Sequence, residues 1–325
     1  MKKIMLSIMF ICGVQVGVSA SVQASSQTAV ETIPKDPYLS GFATYAAEIN
    51  KMGGQSGSSF SDYVQDVQKT EKSVGFIGQA LNLPQPVKVA EGVYTVVGSL
   101  IWHNPSNYGL NNNLTFIEFD EGVFVFNAGP NPAVAYSLHQ MIKRVTHKPV
   151  KWVAVENSQG HAYLGASYWT DIGVKNLYSH EVANQTFHTY FKEIKNSWSE
   201  RVGKLITLPA KDVTHLFTEF EDKLGVPVGG GEILEILNFG PGHTPGSTLV
   251  YVPSRNILLT GDVAYNHRSL ALFAYTDTEQ WIKTFDKMTA YVPQDVTVIP
   301  GHGALRHWPR LRKILEGIWL SCVLR

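Results

Sequence analysis

The chain is almost without cysteine: it has two, Cys12 and Cys322, in 325 residues. That scarcity excludes a disulfide framework and any thiolate cluster for a metal, so a metal site would have to be built from His, Asp, Glu and amides. Charge of either sign is not in excess, since 27 Lys and Arg balance 27 Asp and Glu. With no basic surplus and no Lys/Arg run, nucleic acid is not an expected partner, and a small-molecule substrate is. A long hydrophobic run is missing too. The longest apolar stretch, Ile4 to Val18, falls short of the roughly 20 residues that span a bilayer, so no stable membrane span is expected in the mature chain. Its setting reads instead as a signal peptide over residues 1–24. Lys2 and Lys3 precede the apolar stretch, and two A-x-A-like endings follow, at Ala20 and Ala24. Export to a Gram-negative periplasm with cleavage near Ala20 or Ala24 is the expectation, and Cys12 would leave with the leader.

What is present is enough apolar material, 44% of residues, for a sizeable core. Residues 25–85 are rich in Ser, Gly and Gln, and Tyr38, Phe42, Tyr45, Ala46 and Ile49 recur at helical spacing. This segment reads as an N-terminal helical extension. From Val87 the pattern turns to strands. VKVAEGVYTVVGSLIW holds two extended runs around Glu91-Gly92, and LTFIEFDEGVFVFNAGP is a hairpin turning at Asp120-Glu121-Gly122. A helix (AVAYSLHQMIKRV), the strand KWVAV, a loop, a helical stretch from Tyr163, the strand VKNLYSH and a helix over 181–201 follow. The segment holding Gly229-Gly230-Gly231 reads as less regular. The last third alternates again, through EILEILNFGPGHTPGSTLVYVP, NILLTGD, a helix over 278–291 and VTVIPGHG. Hairpins followed by strand–helix alternation predict two sheets covered by helices.

Four positions place a His or Asp where an apolar strand ends and the backbone turns: His161, His243 in GPGHTPGS, Asp262 in LLTGD and His302 in VIPGHG. A rigid strand fixes such a group while the following turn leaves it open. Singly, each has an ordinary explanation in a surface histidine or a capping aspartate. The set of motifs, in one order and each in a strand–turn context, is what points to a common metal site.

In these motifs the chain resembles the metallo-β-lactamase superfamily over roughly 87–303, closest to periplasmic hydrolases associated with quinoprotein systems and similar subclass-B-lactamase-like hydrolases. The resemblance implies an α/β (α+β) fold, an αββα sandwich of two mixed sheets flanked by helices, over residues 86–306. GPGHTPGS matches the family's third histidine motif, LLTGD its bridging aspartate and VIPGHG its final histidine. The main motif, T-H-x-H-x-D-H-x-x-G, is rewritten in KPVKWVAVENSQGHAYLG. The family's first His falls on Asn157, its second on Gln159, its Asp on His161 and its last His on Ala162. The family's strand-end Asp falls on Asn127.

The resemblance therefore implies a degenerate site. Asn157 and Gln159 are weak ligand positions, because amide oxygens bind zinc poorly beside imidazole. His161, Asp262 and His302, with His243 nearby, remain a plausible set for one zinc ion rather than two, and iron is also compatible. The implied activity is hydrolysis of a small ester, lactone, amide or sulfate-type substrate by hydroxide generated at the metal, with Asp262 and His161 as the catalytic candidates. Tyr163 and His267 stand near ligand candidates in sequence, with packing or exposure as their plainer roles. WHNPSNYGLNNN, over 102–113, resembles the flap beside the family's cleft. Two other functions stay open: a binding or regulatory protein that kept the fold and lost catalysis, and a non-haem iron oxidative enzyme using two His and one carboxylate. The tail over 307–325 turns from basic to apolar and reads as a truncated amphipathic helix, a membrane-surface element or the product of a frame change.

Overall fold

The computed structural model describes residues 81, 83–266 and 270–304. The leader, most of the N-terminal extension, His267 and the C-terminal tail lie outside the described residues.

Seven strands form one sheet in chain order. β1 (Val87–Ala90), β2 (Val93–Val96), β3 (Leu114–Glu118) and β4 (Val123–Phe126) pair antiparallel as meandering hairpins. β4 then continues in parallel with β5 (Val150–Ala154), β6 (Asn176–His180) and β7 (Phe217–Phe220). The parallel half needs crossovers, and helices supply them: α1 (Pro132–Val145), the short α2 (Gly160–Tyr163) and α3 (Ala166–Asp171), and the long α4 (Glu181–Val202) followed by α5 (Lys204–Thr207).

A second sheet has the order β12-β11-β10-β9-β8. It comprises β8 (Lys223–Gly229), β9 (Glu232–Leu237), β10 (Leu249–Val252), β11 (Ile257–Tyr265) and β12 (Thr297–His302), with only β11 and β12 parallel. The helix α6 (Thr278–Tyr291) makes that crossover.

Side-chain alternation divides the core into three layers. On β4, Val123 and Val125 face the helices α1, α3 and α4, while Phe124 and Phe126 face the second sheet. On β10, Val250 and Val252 meet Phe124 and Phe126 between the sheets, while Leu249 and Tyr251 pack toward Trp281, Phe285 and Met288 of α6. A residue period of two sorts each strand between layers, and the outcome is a helix–sheet–sheet–helix sandwich. The expected sandwich of two mixed sheets is therefore what the chain forms.

One segment differs from its sequence reading. The stretch taken as irregular contains β7 and β8, and Gly229, Gly230 and Gly231, all at positive φ, turn the chain from β8 into β9. β8 carries Pro227 and lies at the sheet edge, where a missing N–H is tolerated. Leu224, Val226 and Val228 turn inward in alternation with Lys223, Gly225 and Pro227, but the glycines and the proline give the segment the composition of a loop.

The helical layer also buries His139 on α1, whose Nδ1 shares a 2.8 Å hydrogen bond with the Tyr168 hydroxyl. Burial pushes this imidazole down from 6.5 to about 4, so the folded state holds it neutral. The unfolded chain protonates first as pH falls. The stabilisation is thus complete above about 6.5 and is lost on descent toward about 4. His243 is depressed over the same range. Urea unfolding at pH 7 and pH 4.5 is expected to show a loss of a few kcal/mol, smaller in His139→Gln by the His139 share. An unchanged pH slope in that variant contradicts the assignment.

Candidate metal centre

The site lies where the ends of β5 and β12 meet the middle of β11. β5 ends at Ala154, and the chain runs through Glu156 and Asn157 into α2, so His161 sits in a helical turn rather than in a loop. The Asn157 side-chain oxygen accepts from the Gln159 N–H at 2.8 Å and shapes this link. Asp262 lies inside β11, which continues to Tyr265, and His302 closes β12.

The parallel strands β11 and β12 approach closely because Gly301 lacks a Cβ at the crossing. A Cβ on Gly301 would lie 2.4 Å from the Gly261 carbonyl carbon. Gly261 also has φ +50, and a Cβ there would lie 2.4 Å from Glu156 Oε2. Glycine at 261 thus gives both the left-handed backbone and the space for that carboxylate.

The Asp262 carboxylate is the hub. His302 Nε2 lies 2.9 Å from its Oδ1, His243 Nε2 is 3.2 Å from its Oδ2, and His161 Nε2 is 3.5 Å from its Oδ2. All four residues are buried. His302 Nδ1 faces the Asn111 carbonyl, and His243 Nδ1 faces the Ala271 carbonyl at 3.0 Å. A carbonyl only accepts, so each Nδ1 carries a proton, and Nε2 is the ring nitrogen turned to Asp262.

The two amides of the rewritten motif both act as donors here. Asn157 Nδ2 donates to Asp262 Oδ2 at 3.1 Å, and Gln159 Nε2 donates to His243 Nε2 at 2.9 Å and to the Tyr275 hydroxyl at 3.0 Å. Ala162, buried, brings no side-chain ligand; its carbonyl accepts from the Ala128 N–H and its N–H donates to the Gln159 carbonyl.

Two features were missed by the sequence reading. The first is Glu156, fully enclosed behind His161. His161 Nε2 lies 3.0 Å from its Oε1, which also accepts from Asn127 Nδ2 at 3.0 Å and Asn112 Nδ2 at 3.3 Å. Its only signal was an acid at the end of an otherwise apolar strand. The second is the run Asn111-Asn112-Asn113, placed with the flap. Trp102 is exposed and lines the cleft, but the second half of that segment, from Tyr108, is buried. Asn113 Nδ2 donates to the carbonyls of Pro300 and Gly303, both at 2.8 Å, and its Oδ1 accepts from the Gly98 N–H at 3.2 Å. This side chain pins the turn that carries His302. Of the two secondary candidates, Tyr163 is stacked on Phe187 at 4.0 Å and bonded to Asn184, which is packing.

The electrostatics divide the two carboxyl groups. Burial works against ionising Asp262, but the surrounding imidazoles, His302 foremost, outweigh it and hold the group well below the usual range. Burial raises Glu156 well above its ordinary value, and the charge on Asp262 raises it further. Burial also pushes His243 down to about 4.

Above the site opens a cleft of about 890 Å³, reached by Gln159, His161 and His302 from below. Its walls are aromatic, with Trp102, Phe273 and Tyr275 on loops, and Tyr190 and Trp198 on α4. Trp198 stacks on His103 with centroids 3.9 Å apart.

With this geometry in place, the resemblance seen in the motifs is matched by comparison. Residues 161–302 match the metallo-β-lactamase superfamily. Metallo-beta-lactamase IND-1 of Chryseobacterium indologenes is 25% identical over 207 residues, covering 63% of this chain and 77% of that protein. A stretch of 86 residues is 33% identical to metallo-beta-lactamase type 2 of Bacteroides fragilis, covering 26% of this chain and 34% of that one. In fold, the metallo-β-lactamase FIM-1 of Pseudomonas aeruginosa, solved in a mono-zinc form, aligns with TM-score 0.57 at 16% identity, over 75% of this chain and 98% of the other. The metallo-β-lactamase of Pontibacter korlensis aligns with TM-score 0.55 at 19% identity, over 72% and 95%. The chain thus matches the metallo-β-lactamase superfamily in sequence over residues 161–302 and carries the metallo-β-lactamase fold.

Asn113→Ala removes three hydrogen bonds from buried partners. We expect a loss of about 2–4 kcal/mol in urea unfolding; a change below about 0.5 kcal/mol would show that the turn holds without it.

Proposed function

We propose that the chain is a metal-dependent hydrolase of small molecules, working with one ion held by His161, Asp262 and His302. The observation that carries this reading is the ring of three imidazole Nε2 atoms within 3.5 Å of one buried carboxylate. Lone pairs and negative oxygens gathered this closely repel one another unless protons or a cation stand among them. The donor set fits zinc, which takes imidazole nitrogen and carboxylate oxygen. Zinc so held supplies Lewis acidity, polarising a substrate oxygen and lowering the pKa of a water to about 7.

The chain's own groups support one ion rather than two. Asn157 and Gln159 occupy the positions where a second ion's ligands would be expected, and both direct N–H groups at the centre. Gln159 already fills the lone pair of His243. Asn111 and Ala271 orient the rings of His302 and His243 through their carbonyls.

The substrate class we read from the cleft is a small ester, lactone or amide bearing a flat apolar group. Thr186, Tyr190, Ile194, Trp198 and Arg201 follow one face of α4 at spacings of three or four residues and line the cleft together. A wall of this kind stacks rings and leaves the reacting group to the centre below.

Protein prepared without chelators is expected to carry about one ion per chain by elemental analysis, which also identifies the metal. His302→Ala should lose that ion and the turnover of a generic ester or lactone together, and full activity in this variant overturns the assignment. Tyr190→Ala, changed at an exposed position, is expected to raise KM about 3- to 10-fold for aryl esters with kcat little altered. An equal effect on an acetyl ester of a small alcohol would remove the stacking role.

A further inference from the structure

We infer that Glu156 is itself a metal ligand, joining His161 and Asp262; this rests on the metal-centre reading above. Among the described residues, Glu156, His161 and Asp262 form the group of His, Cys, Asp and Glu whose donor atoms all lie within 4.8 Å of one another. His302 adds its Nε2 on the far oxygen of Asp262.

The carboxylate of Glu156 is placed as a ligand is placed. Its Oε1 is crowded by Asn112, Asn127 and His161. Its Oε2 is buried and has no hydrogen-bond partner among the described residues. Leaving such an oxygen unmet in the interior is costly, whereas a cation between it and Asp262 would satisfy both acids. The backbone is built around it as well. The Glu156 N–H donates to Asn127 Oδ1 at 3.0 Å, its carbonyl accepts from the Thr248 N–H at 2.7 Å, and Gly261 leaves the space beside Oε2. A side chain that served only as a hydrogen-bond post for His161 needs one oxygen, and that oxygen is Oε1.

A second carboxylate alters what the centre prefers. Two carboxylates with imidazole make a harder, more oxygen-rich set than imidazole with one carboxylate, and such donors favour manganese more than imidazole alone does.

The test titrates the metal-free full-length protein with Zn²⁺ and with Mn²⁺ against a competing chelator, comparing it with Glu156→Gln. The expected result is a loss of more than about 100-fold in zinc affinity, beyond the 10- to 100-fold that an outer hydrogen-bond partner is worth, and a larger loss for manganese. Circular dichroism checks the fold. If Glu156→Gln does not fold, Glu156→Gln with Asn127→Asp exchanges acid and amide across the same pair of hydrogen bonds, keeps one buried carboxyl group, and is expected to show the same losses. Wild-type affinity in either folded variant, or losses within about 100-fold and equal for both metals, overturns Glu156 as a ligand. Absence of binding in the wild-type protein overturns the metal centre itself.

Discussion

The buried carboxylate of Asp262 is the constraint around which the rest of the site is arranged. An ionised acid withdrawn from water is tolerable only with strong compensation. The chain supplies that compensation from every direction. Three imidazoles approach from α2, the loop after β9 and the end of β12, and an amide approaches from Asn157. None of these elements is adjacent to β11 in sequence except through the fold. The parallel contact of β11 with β12, close enough only because Gly301 carries no Cβ toward the Gly261 backbone, is what brings His302 within reach of Asp262.

The rewritten motif is better understood as a change of charge carrier than as a loss. Where the family's pattern has imidazoles, Asn157 and Gln159 present N–H donors to Asp262 and His243. A donor hydrogen carries partial positive charge, so it takes over part of what a cation does for neighbouring lone pairs without binding one. The amides thus hold Asp262 and His243 in place through N–H donors. On the other flank, an extra acid at Glu156 stands behind His161, cradled by the neutral amides Asn112 and Asn127. A charged group at 127 would have repelled it.

Much of this was legible in the sequence, and the part that was not has a physical reason. Strands such as VFVF at 123–126 announce themselves by burying both faces, and α6 by its apolar spacing from Asp277, which caps it. The glycine-flanked motifs of His243, Asp262 and His302 were visible in the sequence. Asp262, however, expected where a strand ends, lies inside β11, where Gly261 serves its left-handed backbone and the close approach of Glu156 rather than a turn. β7 was hidden because FTEF buries only its two ends, and β8 because Gly225, Pro227 and Gly229 give an alternating strand the composition of a loop. Glu156 and the asparagine run were hidden for a different reason. Their partners lie far along the chain, as with Asn113 and the carbonyls of Pro300 and Gly303. A terminal acid or a polar loop looks solvent-facing until the fold covers it.

The placement of charge relative to the cleft carries a consequence for selectivity. His161, His302 and Gln159 reach the cleft, whereas Asp262 and Glu156 lie behind them. An incoming molecule meets aromatic faces and the edges of imidazoles before it meets any acid. Negative charge set behind these side chains attracts a cation into the centre but does little to repel an anionic molecule at the mouth, since its field is already spent on the groups around it. Arg201, at the end of the α4 face, is the cation that lines this cleft. On the proposed function, stacking on these walls selects for a flat apolar group, and the centre beneath them decides which bond of that molecule reacts.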